Sequence, residues 1–209
     1  ILGRFEEAIE SFEWATAYRP EFAEAFNNLG IVFTDVGNSN MAIRNFEKAI
    51  KLRPDFVDAI FNLAIIYKES GNLELSLKNL EKVIKLNPSH VNAYRNLSRM
   101  KTYKKNDNHI IQMENILEEK DLNISDSIGL CFALSKAYED LGDQDKQFEY
   151  LNKGNSQRKE ELNYSFEQSL NLHKSIRKIF ESPLPRLNKN EYSSSRFSPI
   201  FILGMPRSG

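Results

Sequence analysis

The sequence predicts an all-α fold in which short helical hairpins stack into a solenoid. Its main signal is a period of 34 residues that spaces three residue types along the first half of the chain. The periodic positions are Pro20, Pro54 and Pro88; Gly3, Gly37 and Gly71; and Leu29, Leu63 and Leu97. Apolar residues three and four positions apart lie between them and predict helices that each bury one stripe. A repeat of this length is typical of a two-helix unit that packs against the next unit.

Bulky and small residues alternate in a fixed order within each repeat. The two complete copies read Phe26, Leu29, Gly30, Phe33, Ala42, Phe46, Ala49 and Pro54, then Ile60, Leu63, Ala64, Tyr67, Ser76, Leu80, Val83 and Pro88. The small residues Gly30, Ala64 and Ser98 indicate where the two helices of a hairpin cross closely. Gly37 and Gly71 predict the turn between them, because glycine adopts a left-handed backbone at little cost. Each proline is expected to end one repeat and begin the next.

This order of residues resembles the tetratricopeptide repeat. The resemblance implies a helical-hairpin solenoid over residues 1–154. Its expected units are a half repeat over 1–22, full repeats over 23–56 and 57–90, and degenerate repeats over 91–124 and 125–154. The third repeat departs from the pattern, because Lys101 replaces an aromatic residue and 104–107 replaces the glycine turn. The chain begins partway through a repeat, so we expect upstream residues in the natural protein.

Residues 155–198 are expected to be a linker made of a helix and a loop. Apolar residues at helical spacing predict one amphipathic helix over 155–182. Pro183 and Pro185 follow it, and a proline disfavours helix in the residue before it. The polar stretch that begins at Asn188 then predicts an exposed loop.

An asparagine recurs on the first helix of three successive repeats, as Asn28, Asn62 and Asn96. The resemblance implies that first helices line a concave groove, and an asparagine side chain both donates and accepts hydrogen bonds. We therefore expect these amides to hold the backbone of a protein or peptide in that groove. Asparagine is also common at this position in tetratricopeptide sequences, so a purely structural role stays open. Four further groove candidates are chemically mixed and form no convincing carboxylate clamp: Asn27, Phe61, Arg95 and Arg99.

Residues 199–209 carry a pattern that points to enzyme chemistry. Pro199–Leu203 is a short apolar run, typical of a buried parallel strand. A loop follows at once, and it consists of Gly204, Met205, Pro206, Arg207, Ser208 and Gly209. A glycine-bounded loop after a strand turns backbone N–H groups toward a phosphate, and an arginine adds a charge-assisted contact.

This run resembles the first strand and 5′-phosphosulfate-binding loop of the bacterial and tyrosylprotein-type sulfotransferases. The resemblance implies 3′-phosphoadenosine 5′-phosphosulfate (PAPS) as cosubstrate. Arg207 would contact the phosphosulfate, and the backbone of Ser208 and Gly209 would hold the 5′-phosphate. Residues 199–209 would then begin a truncated α/β sulfotransferase domain, whose catalytic residues would all lie beyond the chain. The parent protein would be a PAPS-dependent sulfotransferase, whereas this piece by itself is expected to be inactive.

Two alternatives stay open. The chain can be a non-catalytic tetratricopeptide scaffold for protein–protein interaction. It can also be a truncated P-loop NTPase, because Gly204 and Gly209 match the first part of G-x-x-x-x-G-K-[ST] and the deciding residues would follow Gly209.

The composition argues against several other functions. The net charge is -1, which gives no overall field toward nucleic acid or a membrane surface. No apolar run approaches the roughly 20 residues that span a bilayer. The single cysteine, Cys131, cannot form an intrachain disulfide, which favours a cytoplasmic location unless a signal has been lost with the N-terminus. His90, His109 and His173 have no metal-ligand partners nearby in sequence, so no metal is expected.

Overall fold

All regular secondary structure in the described residues is α-helical. The computed structural model describes residues 2–119, 122–163 and 165–181. Its helices are α1 Leu2–Tyr18, α2 Ala23–Asp35, α3 Ser39–Leu52, α4 Val57–Glu69, α5 Leu73–Leu86, α6 Val91–Ser98, α7 Asn108–Leu117, α8 Ile124–Leu141, α9 Gln144–Glu161 and α10 Phe166–Glu181. The chain divides into two compact units, Ile1–Tyr164 with α1–α9 and Ser165–Gly209 with α10. The predicted all-helical solenoid is confirmed, whereas the strand and loop predicted at 199–209 lie outside the described residues.

The two regular repeats are antiparallel hairpins, α2 with α3 and α4 with α5. Gly37 and Gly71 form the turns with φ of 77° and 78°, in the left-handed region that favours glycine. The next residues, Asn38 and Asn72, cap the second helices by accepting hydrogen bonds from the N–H groups of Met41 and Leu75 at 3.2 and 3.4 Å. The Gly-Asn pair therefore ends one helix and starts the other within two residues.

The two helices of each hairpin cross where the sequence has a small residue. A Cβ atom on Gly30 would lie 2.5 Å from Cε1 of Phe46, so only glycine fits over that buried ring. In the next repeat, Ala64 is fully buried at the same place and its carbonyl accepts a 2.7 Å hydrogen bond from Ser76 Oγ. The crossing fixes which side of each first helix is buried. The opposite side is left as surface.

The third repeat is shortened and irregular. Its first helix, α6, has 8 residues where α2 and α4 have 13. A loop over residues 99–107, here called the third-repeat loop, replaces the glycine turn and leads into α7. Tyr103 of this loop is 2% exposed, and its N–H donates to Asp140 Oδ2 at 3.1 Å. The loop therefore contributes to the core and joins α8, on which α6 and α7 also pack.

The C-terminal helices differ in extent from the predicted elements. The solenoid was predicted to end at 154, but α9 continues through Gly154 to Glu161. Gly154 is buried, and a Cβ there would lie 3.1 Å from Cys131 Cβ and from Phe132 Cε1, so α9 crosses α8 closely at this point. The single helix predicted over 155–182 is interrupted, because Asn163 adopts φ of 46° before α10 begins. None of the helices in the described part of the chain is long and apolar enough to cross a membrane.

Candidate functional site

The candidate site is the surface that the first helices of the hairpins form together. α2 touches α4 directly, and α6 touches α8. Three equivalent positions of each helix define this surface, which we call the first-helix face, and the residues at two of them, Asn27 and Ala133, are buried beneath it. Its residues are Asn27, Asn28 and Ile31 of α2, Phe61, Asn62 and Ile65 of α4, Arg95, Asn96 and Arg99 of α6, and Phe132, Ala133 and Lys136 of α8. The face therefore changes in chemistry from one helix to the next.

The three asparagines singled out from the sequence are half-buried and occupy equivalent positions on α2, α4 and α6. Asn62 Nδ2 donates to Asn27 Oδ1 at 3.1 Å, which links α4 to α2. Asn96 Oδ1 accepts from Lys68 Nζ at 2.7 Å, which links α6 to α4. Asn28 makes no side-chain hydrogen bond to a described residue. The sequence located this row but did not reveal the lateral hydrogen bonds that orient it.

The half of the face formed by α2 and α4 has a mainly apolar floor. It contains a depression of about 230 Å³ lined by Ile31, Phe61 and Ile65. Asn62 and Asp35 lie at the same depression, so its border is polar. A cavity with apolar walls and a few polar groups is suited to an apolar side chain on a polar backbone.

The half formed by α6 and α8 is cationic. Its depression of about 310 Å³ is lined by Arg95, Arg99, Phe132 and Lys136. Lys136 forms an ion pair with Asp140 and a second with Glu139 at 3.6 Å. The hydrogen bond to Asp140 is the main reason that the pKa of Lys136 is raised, so this side chain remains charged.

Phe132 and Lys136 were missed in the sequence, although they complete this half. They lie on α8, where the repeat pattern is displaced by three residues. If Leu134 and Ser135 are aligned with Leu97 and Ser98, Phe132 takes the position in its repeat that Arg95 has in the preceding one. That match is the sequence signal that could have found them.

A second polar cluster lies at the start of α7. Lys101 Nζ is 2.8 Å from Asp107 Oδ2 and 2.9 Å from His109 Nδ1. Burial lowers the pKa of His109, and the charge of Lys101 lowers it further. Burial also raises the pKa of Asp107, but hydrogen bonds from Lys101 and the His109 N–H outweigh burial and leave that pKa below its usual range. The cluster contributes side chains that hold the third-repeat loop to α7.

The remaining residues that the sequence singled out are Cys131, the histidines and the loop over 204–209. Burial raises the pKa of Cys131, which opposes a role as nucleophile. No group of three His, Cys, Asp or Glu side chains within the described ranges could hold a metal ion. The expected PAPS-binding residues Gly204, Met205, Pro206, Arg207, Ser208 and Gly209 lie outside the described residues, and the prediction for them stays a prediction.

The repeats themselves match known families. Residues 23–56 match a family described as tetratricopeptide repeat, as do 45–78 and 128–160, and residues 1–37 match one described as TPR repeat. The chain therefore carries tetratricopeptide repeats, as the sequence pattern predicted.

Particular relatives are known from sequence and structure. An uncharacterized protein of Aquifex aeolicus (strain VF5) is 36% identical over 111 residues, which make up 53% of this chain and 14% of that protein. A crystal structure of MamA superposes with a TM-score of 0.60 at 23% identity and covers 78% of this chain and 93% of its own. YrrB, described as a TPR protein with an unusual peptide-binding site, gives a TM-score of 0.57 at 18% identity over 75% of this chain and 79% of its own. At these identities the structures establish the fold.

Proposed function

We propose that the protein is a binding scaffold whose first-helix face holds an extended segment of a partner protein. The observation that carries this proposal is the row of Asn28, Asn62 and Asn96, half-buried and at equivalent positions on three helices. YrrB, which has the same fold, is described as having a peptide-binding site, and this supports the class of ligand.

The hydrogen-bonding capacity of the row fits a peptide backbone. An asparagine amide has two N–H donors and an oxygen with two lone pairs. Asn62 uses one N–H on Asn27, so its oxygen and second N–H stay available. Asn96 accepts from Lys68 and donates one N–H to the carbonyl of Asn92 at 2.8 Å, so its second N–H stays available. Side chains already oriented by their neighbours bind at a lower entropic cost than mobile ones.

A selection with displayed peptides tests the proposal on the whole chain. At about 10 Å for each of its four helices, the first-helix face is about 40 Å long, which an extended peptide of about twelve residues spans. We expect random peptides of that length, displayed on phage, to enrich on the immobilised protein. Replacing Asn28, Asn62 and Asn96 with alanine together should weaken the enriched peptides by at least about tenfold in fluorescence anisotropy.

The matched control changes three exposed asparagines outside the first-helix face. Asn40, Asn115 and Asn152 lie on α3, α7 and α9. Their triple alanine variant should bind as the wild type does, and circular dichroism should show the same helix content in both variants. If the enriched peptides bind the triple alanine variant of Asn28, Asn62 and Asn96 with unchanged affinity, backbone recognition by these amides is ruled out.

We propose a second function on sequence alone, for residues 199–209. The run from Pro199 to Gly209 resembles the first strand and phosphosulfate loop of sulfotransferases, which supports a PAPS-dependent sulfotransferase in a longer parent protein. Arg207 would there contact the phosphosulfate. A non-catalytic scaffold needs no such loop, and a P-loop NTPase would need a lysine after Gly209.

The coding sequence downstream of Gly209 tests this second proposal. Threonine codons directly after Gly209 would support the sulfotransferase, a lysine followed by serine or threonine would support an NTPase, and a stop codon would leave the scaffold alone. If threonines follow Gly209, calorimetry on the longer protein should show binding of 3′-phosphoadenosine 5′-phosphate. Arg207→Ala should weaken that binding by at least about tenfold.

A further inference from the structure

The first-helix face has two chemically different halves, which implies selectivity for the partner's side chains. At the third position of each helix the face carries Ile31 and Ile65 in one half, and Arg99 and Lys136 in the other. Hydrogen bonds to a peptide backbone do not distinguish one peptide sequence from another. Any preference among peptides must therefore come from these side chains of the first-helix face and their neighbours. This step rests on the peptide-binding function proposed above.

Arg95 is held in place by its neighbour across the helix interface. A Cβ atom on Gly129 of α8 would lie 2.5 Å from Arg95 Cδ and 3.1 Å from its Nε, so the arginine stem lies against the bare backbone of α8. Its Nη1 donates to Asn92 Oδ1 at 3.2 Å, which is a neutral partner. The guanidinium is therefore oriented without being neutralised, and most of its five N–H donors stay available.

The other charges of this half differ in how far they are balanced. Arg99 is exposed and forms no hydrogen bond or ion pair with a described residue. Lys136 is balanced by Asp140 and Glu139. The depression therefore has two uncompensated arginines at one wall and a compensated lysine at the other. Phe132, which packs beside Gly154, supplies an apolar surface between them.

We propose that the depression between α6 and α8 is a subsite for an aspartate or glutamate side chain of the bound segment, and that the depression between α2 and α4 takes an apolar side chain of the same segment. A planar guanidinium matches the two oxygens of a carboxylate. A singly charged carboxylate suits the subsite better than a phosphate dianion, because Asp140 and Glu139 lie beside Lys136 and repel a second negative charge. The partner is thus an acidic and apolar protein segment.

The peptides enriched from the random display library test this assignment. We expect them to contain acidic residues, and replacement of those residues with asparagine or glutamine should weaken binding by about tenfold or more. The variants Arg95→Gln and Arg99→Gln should each lower the affinity for the acidic peptide by about tenfold. The affinity for the amide version, in which asparagine or glutamine replaces the acidic residues, should change less than twofold. Arg44→Gln, an exposed change on α3, is the matched control and should leave both affinities unchanged.

A variant that keeps every charge gives a second readout. Gly129→Ala adds one methyl group that must displace the stem of Arg95, because the three atoms nearest to it are Cδ, Nε and Cγ of that side chain. It should weaken the acidic peptide severalfold and leave the amide version unaffected. If net charge alone attracted the acidic peptide, Gly129→Ala would have no effect on its affinity.

The failures of the two proposals are distinguishable. If peptides enrich and depend on the asparagine row, but the acidic and amide versions bind equally well, the carboxylate subsite is wrong and peptide binding stands. Binding of phosphoserine peptides without binding of their aspartate versions also overturns the subsite. If no peptide enriches at all, the peptide-binding function fails, and the subsite fails with it.

Discussion

The two regular repeats, residues 23–90, and the irregular region that follows, residues 91–161, both bury an apolar core but differ in the polar contacts that supplement it. In the regular repeats the buried contacts are mainly apolar, as where Phe46 lies across Gly30. The irregular region buries an apolar core as well, but there polar side chains also join α7 to the α8–α9 hairpin, which still matches the repeat. Glu114 Oε1 accepts from the hydroxyls of Tyr138 at 2.7 Å and Tyr150 at 3.0 Å.

The difference teaches how a repeat protein can lose its pattern without losing its stack. A regular repeat needs only small and bulky residues at fixed positions, because every crossing is the same. Once α6 is shortened, the third-repeat loop has backbone groups that need partners of their own. Asp140, 37 residues away from Tyr103, supplies one of them. Specific polar contacts supplement the apolar packing in this region.

The largest effect is expected where the regular packing is tightest. Gly30→Ala places a methyl group against the buried ring of Phe46, and we expect the free energy of unfolding to fall by about 2 kcal/mol. Helix propensity alone would favour alanine, by about 1 kcal/mol, so the sign of the result separates the two effects. Urea denaturation followed by circular dichroism measures it.

The next repeat provides the control for that prediction. It has Ala64 and Leu80 at the positions that correspond to Gly30 and Phe46. The double variant Gly30→Ala, Phe46→Leu copies this pair and should be more stable than Gly30→Ala alone. If the two substitutions add without coupling, the ring contact does not explain the requirement for glycine.

The second effect concerns the polar contacts of the irregular region. Glu114→Leu removes the acceptor shared by Tyr138 and Tyr150, and we expect a loss of about 1 to 1.5 kcal/mol in the free energy of unfolding. Glu118→Leu changes an exposed residue of the same region and is the control. An equal loss in both variants would mean that charge, and not these hydrogen bonds, stabilises the region.

The fold was predictable where packing repeats and unpredictable where it does not. The positions of Gly37 and Gly71 located the hairpin turns, because a left-handed turn has a local signature. The bond from Tyr103 to Asp140 has none, since it joins residues that no period relates. The break between α9 and α10 was also missed, because the spacing of apolar residues is insensitive to one left-handed residue such as Asn163.

The candidate site shows the same division. The asparagine row follows the 34-residue period and was found from it. Arg95 and Arg99 were named as groove candidates, but no cationic cluster was expected, because Lys136 belongs to the displaced repeat. The role of Gly129 in making room for Arg95 depends on how α6 and α8 cross, and sequence spacing carries no information on that distance.

A smaller effect separates two buried tyrosines of the irregular region. Tyr103 Oη is buried without a hydrogen-bond partner in the described residues, whereas Tyr94 Oη donates to the carbonyl of Pro88 at 3.0 Å. Tyr103→Phe removes an unsatisfied hydroxyl and should raise the free energy of unfolding by up to about 1 kcal/mol. Tyr94→Phe should lower it by about the same amount. Urea midpoints that move in the same direction would contradict this account.

The smallest effect is a pH dependence from the cluster at the start of α7. His109 is faced by Lys101 and Asp107, by the ring of Tyr94 on α6, and by the charge of Glu81 on α5. Burial and Lys101 outweigh the two carboxylates, so the folded protein holds the pKa of His109 below 6.5. The unfolded chain therefore takes up this proton first as the pH falls, and stability declines from about pH 6.5 down to the folded-state pKa.

Urea midpoints between about pH 7.5 and pH 5.5, the range in which histidines titrate, measure this decline. His109→Gln keeps an oxygen that can accept from Lys101 but cannot take up a proton, so its midpoint should fall less with pH than that of the wild type. His173→Gln changes an exposed histidine on α10 and is the control variant. Equal slopes in all three proteins would place the acid sensitivity elsewhere. A reduced slope in His109→Gln alone would locate it in the polar cluster that joins the third-repeat loop to α7.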